Sequence, residues 1–155
     1  MSIDARLTEL GIELPEAPLP LAVYVPAVVE GNLVFISGQL PTVNGELRAT
    51  GKVGEGNGLV APADAKDYAR TAALNGLAVI KSAIGNLDRI TRIVKVTGFV
   101  ACVPDFTAMG AVMNGASELL GDVFGDIGTH ARSSIGVPVL PMDSPVEVEM
   151  IVAFK

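Results

Sequence analysis

The segment HARSSIGVPVLPMDSPVEVEMIVAF, His130 to Phe154, alternates apolar and polar side chains with a period of two. Such alternation predicts two strands joined by a tight connection. In the first, Arg132, Ser134 and Gly136 share one face, and Ser133, Ile135, Val137 and Val139 share the other. In the second, Glu147, Glu149, Ile151 and Ala153 oppose Val146, Val148, Met150, Val152 and Phe154. The expectation is that the more apolar faces meet a helix layer while Arg132 and the two glutamates look away from it. A simple hairpin register sets Gly136 opposite Glu149 and Arg132 near Ala153.

Upstream, GNLVFISGQLP (Gly31 to Pro41) predicts a strand ending in a glycine turn, and Val23 to Val25 a shorter one. Residues 42–58 form a glycine-rich connection in which Asn44-Gly45 signals a hairpin. The segment from Pro62 to about Ile84 predicts a helix. Pro62 suits its first turn, and Asp64 and Asp67 favour the positive end of its dipole. Ala65, Ala69, Ala72, Gly76, Ile80 and Ala83 make a stripe of mostly small residues at helical spacing, suited to close approach to a sheet. The β-branched run Ile90 to Val103 predicts a long strand stopped by Pro104, with Asp105 as cap of a second helix from Phe106 to about Phe124. Residues 1–20 suggest a short helix and an extended arm. The order β-β-α-β-α-β-β implies an α/β layer fold with both helices on one face of a mixed sheet, in a single domain spanning 1–155.

Composition changes the picture in one respect. Half of the 155 residues are hydrophobic and only 18% are charged. The excess suits either a membrane protein or apolar surface buried between subunits. The longest apolar stretch, LPLAVYVPAVV, is interrupted by Pro20 and Pro26 and falls short of the roughly 20 residues a spanning helix needs. The N-terminus MSIDARLTELG has no basic run followed by an apolar one. A cytoplasmic oligomer with apolar interfaces is therefore expected, with no membrane contact. A net charge of −6 argues against nucleic acid as a partner. One cysteine and one histidine give no intramolecular disulfide and no zinc or iron site, so neither metal nor cofactor is expected. Cys102 reads as a core thiol and His130 as a surface residue near the rim of any cleft. GKVGEGNG lacks the Gly-Lys-Ser/Thr ending of a phosphate loop and reads as a turn or lid.

If the polar strand faces meet another subunit, their charges need partners. An arginine fork suits a carboxylate, and a glutamate suits a water that it holds or deprotonates. The alternative is a structural ion pair between Arg132 and Glu147 or Glu149.

Three stretches bear on that choice: YVPAVVEGNLVFISGQLP, KVTGFVACVPDFTAMGAVMN and ARSSIGVPVLPMDSPVEVEMIVAF. In order and spacing, across roughly residues 22–154, the chain resembles the Rid family of RidA/YjgF-type reactive intermediate deaminases. The resemblance implies a fold like that of the trimeric chorismate mutases, a six-stranded mixed sheet with two helices on one face, assembled as a homotrimer with sites between subunits. It implies Arg132 as the grip for a substrate carboxylate and Glu147 as the residue that positions water. Tyr24, Gly38, Asn114 and Ser134 become substrate-binding positions, Ser134 standing where many members carry cysteine. The implied reaction is hydrolysis of 2-enamino or 2-imino acids to 2-keto acids and ammonia. A non-catalytic trimer that binds a small carboxylate is the alternative within the family. The ribonuclease activity sometimes attributed to the family sits poorly with the acidic chain. The chain departs from the family pattern at Gly136, where deaminases usually carry glutamate, in a longer N-terminal arm, and in the longer connection after Gln39.

Overall fold

A computed structural model describes residues 1–19 and 23–155 of the chain. The helix expected from Pro62 to about Ile84 forms (α2, Pro62–Ile84), with Ala65, Ala69, Ala72, Gly76 and Ile80 of the expected stripe buried and Ala83 exposed. Small residues set the packing distance: a Cβ at Gly76 would press into Met150 and Ile36 of the sheet beneath. The other long helix, α3 (Met109–Phe124), starts later than expected, and its N-cap is Ala108, with no side-chain cap. Asp105 is not the cap. Val103 stays extended because its N–H donates to Val53 O, and the chain then turns through Val103 to Phe106 before the helix begins. At Gly115 the helix runs against the Lys66 backbone of α2, a contact no larger residue would permit. Val112, Met113, Leu119 and Leu120 complete the core between helices and sheet.

The sheet contains β1 (Ala27–Glu30), β2 (Leu33–Ile36), β5 (Ile90–Ala101), β6 (Ala131–Val137) and β7 (Val146–Phe154) in the order β1-β2-β7-β5-β6. Among the described residues it has five strands, against the six the resemblance implies. The chain bends at Val23 and Tyr24, and the first strand begins only at Ala27. The Asn44-Gly45 turn forms as expected, both residues at positive φ, but its strands β3 (Thr42–Val43) and β4 (Glu46–Leu47) stand apart as their own hairpin. Buried Asn75 on α2 pins that hairpin by donating to Leu40 O at 2.9 Å and Thr42 O at 3.0 Å. The glycine-rich stretch that follows is stitched down as well: Gly51 donates to Asp143 O and Val53 to Ala101 O.

The last two strands are not a hairpin. β5 lies between them, parallel to β6 and antiparallel to β7. The reason is topological. β5, α3 and β6 form a strand–helix–strand crossover, which requires parallel strands. One edge of β5 is taken by β7, so β6 occupies the other and ends the sheet. Gly136 therefore pairs with Val100 and Arg132 with Val96, not with Glu149 and Ala153.

This register also reverses the expected faces of β6. Val96 and Val100 are buried in the helix-facing core, so Arg132, Ser134 and Gly136 point to the helix side with them. Ser133 and Ile135 point to the open side, where Lys95 Nζ donates to Ser133 Oγ at 2.9 Å. The faces of β7 are as expected: Val148, Met150 and Val152 are buried, and Glu147 and Glu149 sit beside Phe99 and Thr97 on the open side.

The N-terminal arm begins with α1 (Ile3–Glu9), capped by Ser2, whose Oγ accepts from Ala5 N. It docks at the far ends of the long helices: Asp4 pairs with Lys81 at 2.8 Å, and Arg6 Nε donates to Asp122 O at 2.9 Å. Ile12, Leu14 and Ala17 continue along the core, and the arm's expected end at Pro20 lies outside the described residues. Among the described residues, no helix is long and apolar enough to cross a membrane.

Candidate functional site

Arg132 stands on the edge strand β6, facing α3. Its guanidinium is held by neutral oxygens alone. Nη1 donates to Asn114 Oδ1 at 2.9 Å and to Ser117 Oγ at 3.0 Å, and Nη2 donates to Gly110 O at 3.2 Å. Among the described residues no carboxylate pairs with it, although Arg6, Arg48, Lys66 and Lys81 all form ion pairs. The structural ion pair with Glu147 or Glu149 is thus not made within the chain. Three of the guanidinium's bonds are committed to the protein, and its remaining donors are left for something else. A cleft of about 360 Å³ opens beside it, lined in part by Asn114, Ser117, Thr129 and His130.

Glu147 belongs to a second cluster. After β2 the chain stays beside β7, Gln39 and Val148 exchanging backbone hydrogen bonds of 2.8 and 3.0 Å. Gly38 is thereby laid against Glu147, so closely that a Cβ there would overlap the carboxylate. Burial, then the charge of neighbouring Glu149, raises the Glu147 carboxyl above the ordinary glutamate value of 4.5. The segment carrying Tyr24 runs alongside, since Ser37 Oγ donates to Val25 O at 2.7 Å and Ser37 N to Pro26 O at 2.9 Å. Tyr24 itself is half exposed.

The expected residues therefore divide. Arg132 and Asn114 meet on the helix side of the sheet edge. Glu147, Gly38 and the Tyr24 segment meet two strands away, with the Glu147 side chain on the opposite face. Two strand spacings are about 10 Å, so one protomer does not bring Arg132 and Glu147 together. Ser134 lies one pleat along from Arg132, its hydroxyl buried and without a hydrogen-bond partner. Cys102 is half-buried, its thiol pushed up by burial, with its sulfur close to Gly136.

Sequence reasoning missed Ser117 and underrated His130. The histidine is tied into the cleft: Nε2 lies 2.9 Å from Ser117 Oγ and Nδ1 lies 2.6 Å from Gly128 O. A signal was present in α3, where Asn114, Ser117 and Gly121 recur at helical spacing and make a narrow non-hydrophobic stripe. Among the described residues, no group of three His, Cys, Asp or Glu side chains is arranged to hold a metal ion.

Comparison with known proteins agrees with the fold. The family described as "YjgF/chorismate_mutase-like, putative endoribonuclease" matches residues 4–154. "Protein TCP17" of Trypanosoma cruzi is 40% identical over 97% of this chain and 92% of its own length. A "2-iminobutanoate/2-iminopropanoate deaminase" of Dermatophagoides farinae is 32% identical over 93% of this chain and 95% of its own. A crystal structure of a protein of unknown function from Agrobacterium tumefaciens superposes with a TM-score of 0.89 at 42% identity, covering 99% of this chain and 92% of that one. A sheet with both long helices on one face, the Arg132 and Glu147 strands and a match across nearly the whole chain lead to one conclusion: the protein belongs to the Rid family, the YjgF/chorismate-mutase-like group.

Proposed function

We propose that the protein hydrolyses reactive 2-imino and 2-enamino acids to 2-keto acids and ammonia in the cytoplasm, in a cleft completed by a second copy of the chain. The observation that carries this reading is an arginine clamped by three neutral acceptors, with no acid of its own, beside an open cleft. Clamping fixes the direction of a charge that a substrate carboxylate can meet. The deaminase name of a relative at 32% identity gives the chemistry.

An enamine first tautomerises to its imine. Water adds to the C=N carbon, the C–N bond of the resulting carbinolamine breaks, and ammonia leaves as the carbonyl forms. One water is consumed and one ammonia released. Arg132 anchors the carboxylate, and Glu147 accepts a proton from the attacking water and returns it to the leaving nitrogen. Its raised pKa brings it nearer the working pH and makes it a better base. Gly38 leaves room for that carboxylate, Asn114 fixes the arginine, and Tyr24 borders the Glu147 side. Because Arg132 and Glu147 point to opposite faces of one sheet, we assign them to one site across an interface, repeated around a closed ring of three copies. Phe35 and Ile135, exposed on the open face of the sheet, are the apolar surface such a ring buries.

The test is a coupled assay. An amino-acid oxidase supplies the imine, and keto-acid release is followed with and without the protein. Wild type accelerates release, and Arg132→Ala does not. Carboxylate binding that depends on Arg132 with no effect on any rate would replace the enzyme with the non-catalytic binding trimer.

A further inference from the structure

The wall behind Arg132 is a continuous chain of hydrogen bonds. Arg132 Nη1 donates to Ser117 Oγ at 3.0 Å, Ser117 Oγ lies 2.9 Å from His130 Nε2, and His130 Nδ1 lies 2.6 Å from Gly128 O. A carbonyl only accepts, so Nδ1 carries the hydrogen. In the neutral ring Nε2 is then an acceptor, and the Ser117 hydroxyl donates to it. Asn114 turns its oxygen to Arg132, which leaves the N–H groups of the same amide as donors. The side-chain acceptor atoms of Asn114, Ser117 and His130 each already have a partner within the protein. What remains for a ligand is mainly donors: the uncommitted N–H groups of Arg132, the Asn114 amide and the Thr129 hydroxyl.

Among the described residues, the lining of this cleft of about 360 Å³ includes neither an apolar side chain nor a carboxylate. Part of its wall is Gly121 and Gly128, which have no side chain to fill the space. An alkyl group placed here meets only the carbon atoms of polar side chains and glycines and leaves the donors without partners, whereas a second anionic group meets those donors.

We infer that the preferred substrate is a 2-imino or 2-enamino dicarboxylic acid, an inference that rests on the deaminase reading above. Its α-carboxylate takes Arg132, and its distal carboxylate takes the Asn114 amide and the Thr129 hydroxyl. The reaction class that supplies it is oxidation of an acidic amino acid at the α-carbon. Thr129 is then a specificity-determining residue, and Ser117 and His130 are positioning residues that hold the donor array in place.

Two measurements on the assembled protein test this. In the first, 2-iminoglutarate and 2-iminopentanoate, equal in chain length, are generated in situ by oxidases and kcat/KM for keto-acid release is compared. The dicarboxylate is favoured by at least about tenfold, the effect of one hydrogen bond to a charged group. Thr129→Val lowers that ratio, and Thr129→Ser keeps it. In the second, 2-oxoglutarate and 2-oxopentanoate are titrated calorimetrically, which needs no turnover, and 2-oxoglutarate binds at least about tenfold more tightly. Equal or reversed preference in both measurements overturns the inference and leaves the deaminase reading standing if either imine is turned over. Turnover of neither imine, with 2-oxoglutarate still preferred in binding, overturns the deaminase reading and upholds the ligand class.

Discussion

The two faces of the sheet each hold a charge left without a counter-ion among the described residues. On the helix side of the edge strand, Arg132 is a charge gripped by three neutral acceptors, Asn114, Ser117 and Gly110, with no ion-pair partner among the described residues. On the open side, Glu147 is a carboxylate pressed against a glycine and beside another glutamate, with no cation in ion-pair reach among the described residues. Each arrangement costs free energy alone, one by withholding a counter-ion and the other by desolvating an acid. Neither is what a structural ion pair looks like. Residues that a sequence motif presents together can be folded onto opposite faces of one sheet, and in the proposed reading it is association that brings them into one site.

The largest expected effect separates the halves by removing the charge. Arg132→Ala should lower kcat/KM by at least about 100-fold, since it deletes the charge-assisted bonds to the substrate carboxylate. Steady-state rates in the coupled assay read this, and near-normal activity would mean that the arginine half binds no substrate.

A sharper test joins the halves again. Arg132→Ala and Glu147→Gln proteins, each inactive alone, are unfolded together, refolded as a mixture and assayed. In a ring where every cleft takes its arginine from one copy and its glutamate from the next, random mixing recovers about a quarter of wild-type activity. No recovery from an assembly verified to be mixed would mean that both residues of a site come from one chain.

Gly38→Ala probes the Glu147 half alone. The new methyl displaces the carboxylate, so kcat should fall about tenfold or more through misplacement, and overpacking should cost about 1–3 kcal/mol in denaturant unfolding. The Arg132 half should be untouched, so 2-keto acid binding measured by calorimetry stays within about twofold of wild type.

The smallest effect is on pH dependence. Glu147 holds its proton more tightly folded than unfolded, so this group makes the native state relatively more stable at low pH. That contribution is full below the unfolded value near 4.5 and is lost as pH rises through the higher folded value. Urea unfolding across that range should show the loss in wild type, and Glu147→Gln should flatten it.

Much of this was legible in the chain. Proline at the first turn and a stripe of small residues marked the start and the buried face of α2, although Ala83 of that stripe is exposed, and Asn44-Gly45 marked its turn, because these are local steric rules. The alternation in β7 gave its two faces correctly. In β6 the same alternation gave the right grouping but the wrong orientation. Period two says which residues share a face, not which face the helices cover. Ser133 and Ile135 looked more apolar than Arg132, Ser134 and Gly136, yet an edge strand can direct a polar side chain to the helix side where the helix supplies acceptors, as Gly110, Asn114 and Ser117 do for Arg132. The short strand at Val23 to Val25 failed for a related reason: β-branched residues extend the chain but do not supply a partner strand.

The sequence by itself determined α2, the body of α3, the segments of β2, β5, β6 and β7 and the identity of the two charged residues, since these depend on side-chain shape and spacing within a few residues. Only the tertiary structure decided that β5 lies between β6 and β7, that Arg132 and Glu147 lie on opposite faces, and that Ser117 and His130 stand behind the arginine. Those facts depend on which strand a crossover helix delivers next to which, a choice made by packing residues far apart in the chain.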